Sequence, residues 1–327
     1  MRTIKRCMPA VLLAASMLSV NVGASAESVE GKRLANLTLP TSNPFLAKLT
    51  ETIQAEAKQH GMEVAVFSSP YDAALQSQQI NDAISQSFDA LLITAASERA
   101  IIPALMAANR ANIPVFLVNS PIADGNEELY VTYIGENHGD LGRAAGGALV
   151  EALEDRKGAK VAAITGSLAE GVAPRRMAGF KEVLDKHPEI ELVATEDAKW
   201  DTATSERIAG QLFARFAPQG GLDGIYGMAD NIAHGAIMAA NAANIPLGIE
   251  DGQTVVVSSN CMRFGIDHIR AGAQYSTATQ MPTRTGKATI DAVVAYFQDN
   301  DVPKETVLEA VAITKENLDD FAEACTF

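Results

Sequence analysis

Residues 33–60 read RLANLTLPTSNPFLAKLTETIQAEAKQH, and this stretch decides the fold. Arg33–Leu39 is a short, mostly apolar run of strand length, and Pro44–His60 carries its apolar residues at helical spacing. Between them, Asn43-Pro44 places a capping side chain ahead of a Pro at the first helical position, where a missing N–H costs nothing. Gly61 then follows His60, where a left-handed helix end is expected. A strand that feeds straight into a long helix is the first half of a βαβ unit.

The unit recurs. Strands are predicted at Glu63–Phe67, Ala90–Thr94 and Pro114–Val118, and helices at Asp72–Ser87 and Ala100–Ala111. The strands are continuously apolar, as in a parallel sheet buried on both faces. Asn112-Ile113-Pro114 ends the third helix, because a residue before Pro avoids the helical region. A further strand closes on Ile134-Gly135-Glu136-Asn137. The second half repeats the pattern, with strands near Lys160–Thr165, Glu191–Thr195, Leu222–Tyr226 and Thr254–Val257. Helices near Arg175–His187, Thr202–Ala217, Ile232–Asn244 and Arg263–Ala271 alternate with them. Ala243-Asn244-Ile245-Pro246 even reuses the ending Ala111-Asn112-Ile113-Pro114. The predicted class is α/β, with two doubly wound parallel-sheet lobes and no low-complexity linker between them.

The 327 residues are 47% hydrophobic and carry a formal charge of −14, a globular composition long enough for about two domains. The acidity argues against a nucleic-acid partner, which would need Lys and Arg on its phosphates, and against an anionic membrane surface. Residues 1–26 stand apart: Arg2, Lys5 and Arg6, then an apolar core from Met8 to Val20, then Ala24-Ser25-Ala26. This is the pattern of a secretory signal peptide cleaved after Ala26. Its apolar core covers about 20 Å as a helix, short of the ~30 Å hydrocarbon layer. Loss of its three cations takes the charge from −14 to −17.

Cys7 would leave with that peptide, and Cys261 and Cys325 remain. Two outcomes stay open for them, a disulfide in an oxidising compartment or two partly buried thiols. The five His residues (60, 138, 187, 234, 268) are scattered and no metal-ligand spacing occurs. Gly166 to Gly171 has the glycine spacing of a phosphate loop but continues as Val172-Ala173, without the Lys and hydroxyl that phosphate and Mg²⁺ need. It therefore reads as an ordinary strand-to-helix turn. Gly142 to Gly147 reads as helix with small residues that permit close packing, and His138 as a polar residue at a helix start. With no nucleophile, base or metal constellation, neither an enzyme nor a cofactor is expected.

Ligands of open α/β sheets sit outside the carboxyl ends of the strands. The loops there carry Thr41 to Leu46, Asn119-Ser120, Glu136-Asn137, Arg175-Arg176, Trp200-Asp201, Ala229-Asp230, Ser259-Asn260 and Thr279 to Pro282. Amides and guanidinium suit paired hydroxyls, and aromatic faces suit C–H surfaces, so a polyhydroxylated ligand fits this set. Each residue has a plainer alternative: Asn43 and Asp230 as helix caps, Phe45 and Trp200 as core aromatics, Arg175 as a solvated neighbour of Arg176.

Ser42-Asn43-Pro44-Phe45, Ala111-Asn112-Ile113-Pro114-Val115, Arg176-x-x-Gly179-Phe180 and Gln280 resemble the type I periplasmic sugar-binding proteins of the ribose/galactose kind that serve ABC importers, over Leu34 to Phe321. The resemblance implies a periplasmic protein whose lobes exchange chain three times at a hinge, and a monomer is the expectation. The first lobe would be 27–136 plus 281–308 and the second 137–280 plus 309–327. It places Asn43, Phe45, Asn137, Arg176, Trp200 and Gln280 at ligand-contacting positions, with a permease of the inner membrane as partner; Asn119, Asp230 and Asn260 complete the candidate set from the strand-end loops. A ligand-loaded receptor for a membrane sensor or chemoreceptor is the alternative. A repressor of similar core would need an N-terminal helix-turn-helix where the export signal stands. Departures from the ribose-type pattern are Asn119-Ser120 for an Asp-Arg pair, Ala229 for Asn, Asn260 for Asp and Leu46 for an aromatic. With two carboxylates gone, Arg176 is expected to be less compensated. The expected ligand is then a polyol or modified sugar first, and a sugar acid second.

Overall fold

The computed structural model describes residues 28–327, so the export signal, Cys7 and the cleavage point expected after Ala26 lie outside the described residues. In chain order the first half runs β1 (Arg33–Thr38), α1 (Pro44–Gln59), β2 (Glu63–Ser68), α2 (Ala73–Ser85), β3 (Ala90–Ile93), α3 (Ile102–Arg110), β4 (Val115–Val118) and β5 (Thr132–Glu136). The second half runs α4 (His138–Ala152), β6 (Ala159–Thr165), α5 (Val172–Leu184), β7 (Ile190–Asp197), α6 (Thr202–Phe216), β8 (Gly224–Gly227), α7 (Asp230–Ala242), β9 (Val255–Val257) and α8 (Arg263–Ala271). The last segment adds β10 (Thr277–Ala278), α9 (Pro282–Phe297), β11 (Glu305–Leu308), β12 (Ala312–Ile313) and α10 (Leu318–Phe321).

Strands β11-β5-β4-β3-β1-β2 form one parallel sheet and β7-β6-β8-β9 a second. The chain passes between them after β5, after β10 and after β11, and β10 pairs antiparallel with β12 at the crossing. Both faces of each sheet are buried, which is why the strands lack polar alternation. In β1, Leu34 joins one apolar cluster while Ala35 and Leu37 join another; in β6, Val161 and Ala163 separate from Ala162 and Ile164 in the same way. A smaller cluster holds Cys261, Ile266, Met281, Ile313, Leu318 and Cys325, and there Cys261 and Cys325 are bonded, with Cα atoms 5.1 Å apart.

Helix boundaries follow local chemistry. Asn43 accepts from the N–H groups of Phe45 and Leu46, and Asp72 from those of Ala74 and Leu75. Helix α5 starts at Val172, three residues before the predicted Arg175, because Pro174 is tolerated in a first turn whose N–H groups have no intrahelical partner. The small residues of α4 do bring helices together. A Cβ on Gly142 would overlap the Arg176 carbonyl, and one on Gly179 the Gly139 carbonyl. That close crossing of α4 and α5 sets where Arg176 lies.

Candidate functional site

The carboxyl ends of both sheets face each other across a cleft. Asn43, Phe45, Tyr71 and Asn119 line it from the first lobe, Glu170, Arg176, Trp200 and Asn260 from the second, and Gln280 from the crossing after β10. Asn119 follows β4 and Asn260 follows β9, and both hold left-handed backbones, with φ of 63° and 95°. Asn is among the few residues with a side chain that tolerate this region, so amides are in keeping with these two sharp strand exits.

A hydrogen-bonded chain runs through these residues from lobe to lobe. Gln280 Nε2 donates to Asn119 Oδ1 at 2.8 Å, Arg176 Nη2 donates to Gln280 Oε1 at 2.6 Å, and Arg176 Nη1 donates to Asn260 Oδ1 at 2.7 Å. Nη1 also donates to the Met228 carbonyl and Nε to His138 Nδ1. Those four bonds leave one of the five guanidinium N–H groups, on Nη2, for anything in the cleft. His138, at the start of α4, accepts from Arg176 and therefore donates through Nε2 to the Asn119 carbonyl. Burial and the Arg176 charge push its pKa down to about 3, so it is a neutral strut and not a base.

Arg176 is 2% exposed and, as expected from the missing Asp residues, its hydrogen bonds all go to neutral acceptors, so burial lowers its pKa. Glu136 and Glu170 oppose that shift only in part and only when ionised. Burial raises their pKa values to about 7 and about 8, and the guanidinium pulls both back. Trp200 lies over Arg176, 5.5 Å from the guanidinium carbon to the ring, and its Nε1 donates to Glu170 Oε1. Lys199 and Trp200 both adopt positive φ, 52° and 61°, a strained pair held in part by Asn231 Nδ2 donating to the Trp200 carbonyl at 2.7 Å. Gly166 makes room for this, since a Cβ there would run into the indole.

Asn43 both caps α1 through Oδ1 and lines the cleft, leaving its Nδ2 donors outside the cap. Phe45 is buried against Phe327, ring centroids 6.2 Å apart, with an edge on the cleft. Two candidates fall elsewhere. Asn137 is exposed, caps α4 through the N–H groups of Gly139 and Asp140, and lines a neighbouring hollow with Tyr133 and Arg175. Asp230 is fully buried beneath the floor: Met262 N, Gln274 Nε2 and Thr277 Oγ1 donate to it at 2.7–3.0 Å, as does Ser258 Oγ. It neither lines the cleft nor caps its own helix; it ties α7 to the start of α8 and to β10.

Arg175 is also not the solvated neighbour expected. From the second lobe its Nε meets Glu98 Oε1 of the first lobe at 2.8 Å and its Nη2 meets Asp124 Oδ1 at 3.3 Å. A Cβ on Gly171 would overlap the Glu98 carboxylate, so the second glycine of the failed phosphate loop admits a partner from across the cleft. Glu170, Tyr71 and Glu98 were not singled out from sequence. For Glu170 the signal was its place between glycines in a strand-exit loop.

Residues 35–301 match the model of the periplasmic binding protein domain. The ribose import binding protein of Haemophilus influenzae is 28% identical, over 84% of this chain and 88% of its own. The xylitol-binding protein of Mycolicibacterium smegmatis is 26% identical, over 93% and 83%. Among solved structures, a galactofuranose-binding protein superposes with a TM-score of 0.84 at 20% identity, covering 90% of this chain and 98% of that one. The two parallel sheets, the three crossings and the domain match agree: this chain belongs to the periplasmic binding protein family.

Proposed function

We propose that the chain is the periplasmic solute-binding subunit of an ABC importer and captures a small polyhydroxylated ligand, a sugar, sugar alcohol or modified sugar, between its two lobes. It works as a monomer in which 27–136 plus 281–308 moves against 137–280 plus 309–327. The open form admits ligand, the closed form buries it, and the permease of the inner membrane recognises closure. Ligand shifts this equilibrium only by its differential affinity for the closed form.

The observation that carries the reading is the chain Asn119–Gln280–Arg176–Asn260, which joins both lobes through a crossing residue in the buried lining of a cleft also lined by Trp200 and Phe45. The amides of this chain and the aromatic faces beside it offer the mixed polar and C–H recognition that sugars and polyols need. The names of the relatives, which include binders of ribose and of xylitol, support the same class.

A thermal-shift screen with ribose, xylitol, myo-inositol and further sugars and polyols tests this. A ligand held only by the folded state stabilises it by about 2.7 kcal/mol at a hundredfold excess over Kd. At least one member is expected to raise Tm and to be recovered chemically unchanged. No shift with any sugar or polyol would refute the reading.

A further inference from the structure

We infer that Glu170 is the residue that sets the charge class of the ligand, by offering a carboxylate acceptor to hydroxyl groups and repelling carboxylated analogues; this rests on the capture function proposed above. Three features of the cleft point to it. Glu170 is only 4% exposed yet lines the cavity, opposite Tyr71 of the first lobe. Its Oε1 is fixed by the Trp200 indole, and among the described residues no second hydrogen bond engages its carboxyl. The indole is in turn held in a strained backbone conformation against Gly166, an arrangement that aims one carboxylate and leaves acceptor capacity unused.

Arg176 supplies the independent argument. A carboxylate ligand is gripped best by two parallel N–H groups of one guanidinium. Arg176 has only one left, because His138, Met228, Asn260 and Gln280 take the others. Its positive charge is already faced by Glu170 and Glu136. A sugar acid would therefore find no free fork and, once Glu170 ionises, would enter beside a carboxylate, whereas a neutral polyol can donate to Glu170 and accept from the remaining Nη2 N–H.

The groups that act on Glu170 are the Trp200 N–H and Arg176, which favour its ionised form, and Asp197, which opposes it; Tyr71 faces it from the first lobe. With its pKa raised to about 8, Glu170 ionises within an accessible range. A hydroxyl donates more strongly to the charged form, so neutral-polyol binding should tighten as pH rises through that region, and rejection of acids should deepen with it.

The test is calorimetric binding of matched pairs, xylitol with xylonate and ribose with ribonate, to the wild type, Glu170→Gln and Glu170→Asp at pH 6, 7.5 and 9. At pH 9 the wild type should favour the neutral member of at least one pair by tenfold or more, with a smaller preference at pH 7.5 and the smallest at pH 6. Glu170→Gln, which keeps the shape and removes the charge, should lose the pH dependence and narrow the preference by about tenfold, and Glu170→Asp should restore part of both. A wild type that prefers the acid, or a Glu170→Gln variant with unchanged selectivity and pH profile, overturns the inference and leaves capture standing. No binding of any neutral sugar or polyol overturns the capture reading itself. Native circular dichroism and one cooperative thermal transition for each variant without ligand separate an effect on selectivity from misfolding.

Discussion

Replacing Arg175 by Ala should weaken ligand binding although the residue holds both of its ion-pair partners outside the cleft. Arg175 bridges the lobes through Glu98 at 2.8 Å and Asp124 at 3.3 Å, with side-chain exposures of 38% for Arg175, 27% for Glu98 and 90% for Asp124. Partly exposed ion pairs are worth about 0.2–1 kcal/mol each, and the Asp124 pair sits at the low end because that carboxylate is almost free in water. The closed form should lose about 0.5–1.2 kcal/mol, and since these contacts need the lobes together the open form loses nothing. At RT of about 0.59 kcal/mol this is a twofold to eightfold rise in Kd, expressed mainly as faster dissociation. Trp200 is the only Trp of the chain and lies in the cleft, so its fluorescence reads binding directly. Raising the salt should bring the wild type towards the variant, and Glu98→Gln should be non-additive with Arg175→Ala. Wild-type affinity at low salt would refute the latch, and a loss beyond a hundredfold would show that Arg175 touches the ligand.

Asp230→Ala should cost about 3–5 kcal/mol of stability, since it strands the Met262 N–H and the Ser258 and Thr277 hydroxyl donors in a site with no solvent; urea unfolding measures it, and the remaining folded protein should bind with near-normal affinity. Cys325→Ser should lower stability by about 4 kcal/mol on a chain-entropy estimate for a 64-residue separation, and reduction of the wild type should have the same effect. Glu136 and Glu170 have folded pKa values raised to about 7 and about 8, so their protonation favours the folded state below pH 4.5 and that contribution is lost as pH climbs to 8. Tm without ligand should therefore be higher at pH 6.5 than at pH 8.5, and Glu136→Gln should flatten the slope; an equal or higher Tm at pH 8.5 in the wild type contradicts the assignment.

The lobes were legible because strand and helix periodicity, Asn-Pro starts and Ile-Pro endings are local signals. The short β10 and β12 were not legible, since two residues have no periodicity and pair only because the crossings bring them together. In the site, Asn43, Arg176, Trp200 and Gln280 could be picked out from loop position and residue type. Asp230 misled because a strand-end acid looks the same whether it faces a ligand or a ring of buried hydroxyls and amides. Asn137 misled because a cap and a contact call for the same side chain. Glu170 and the Arg175–Glu98 pair depend on distances between the lobes, which no local window contains.

Closure of the two lobes over a ligand is the central claim, and solution X-ray scattering with and without the sugar or polyol that gives the largest thermal shift tests it most directly. The radius of gyration should fall at saturation, and more weakly for Arg175→Ala at the same subsaturating concentration. Superimposable curves for the free and saturated wild type would contradict the account.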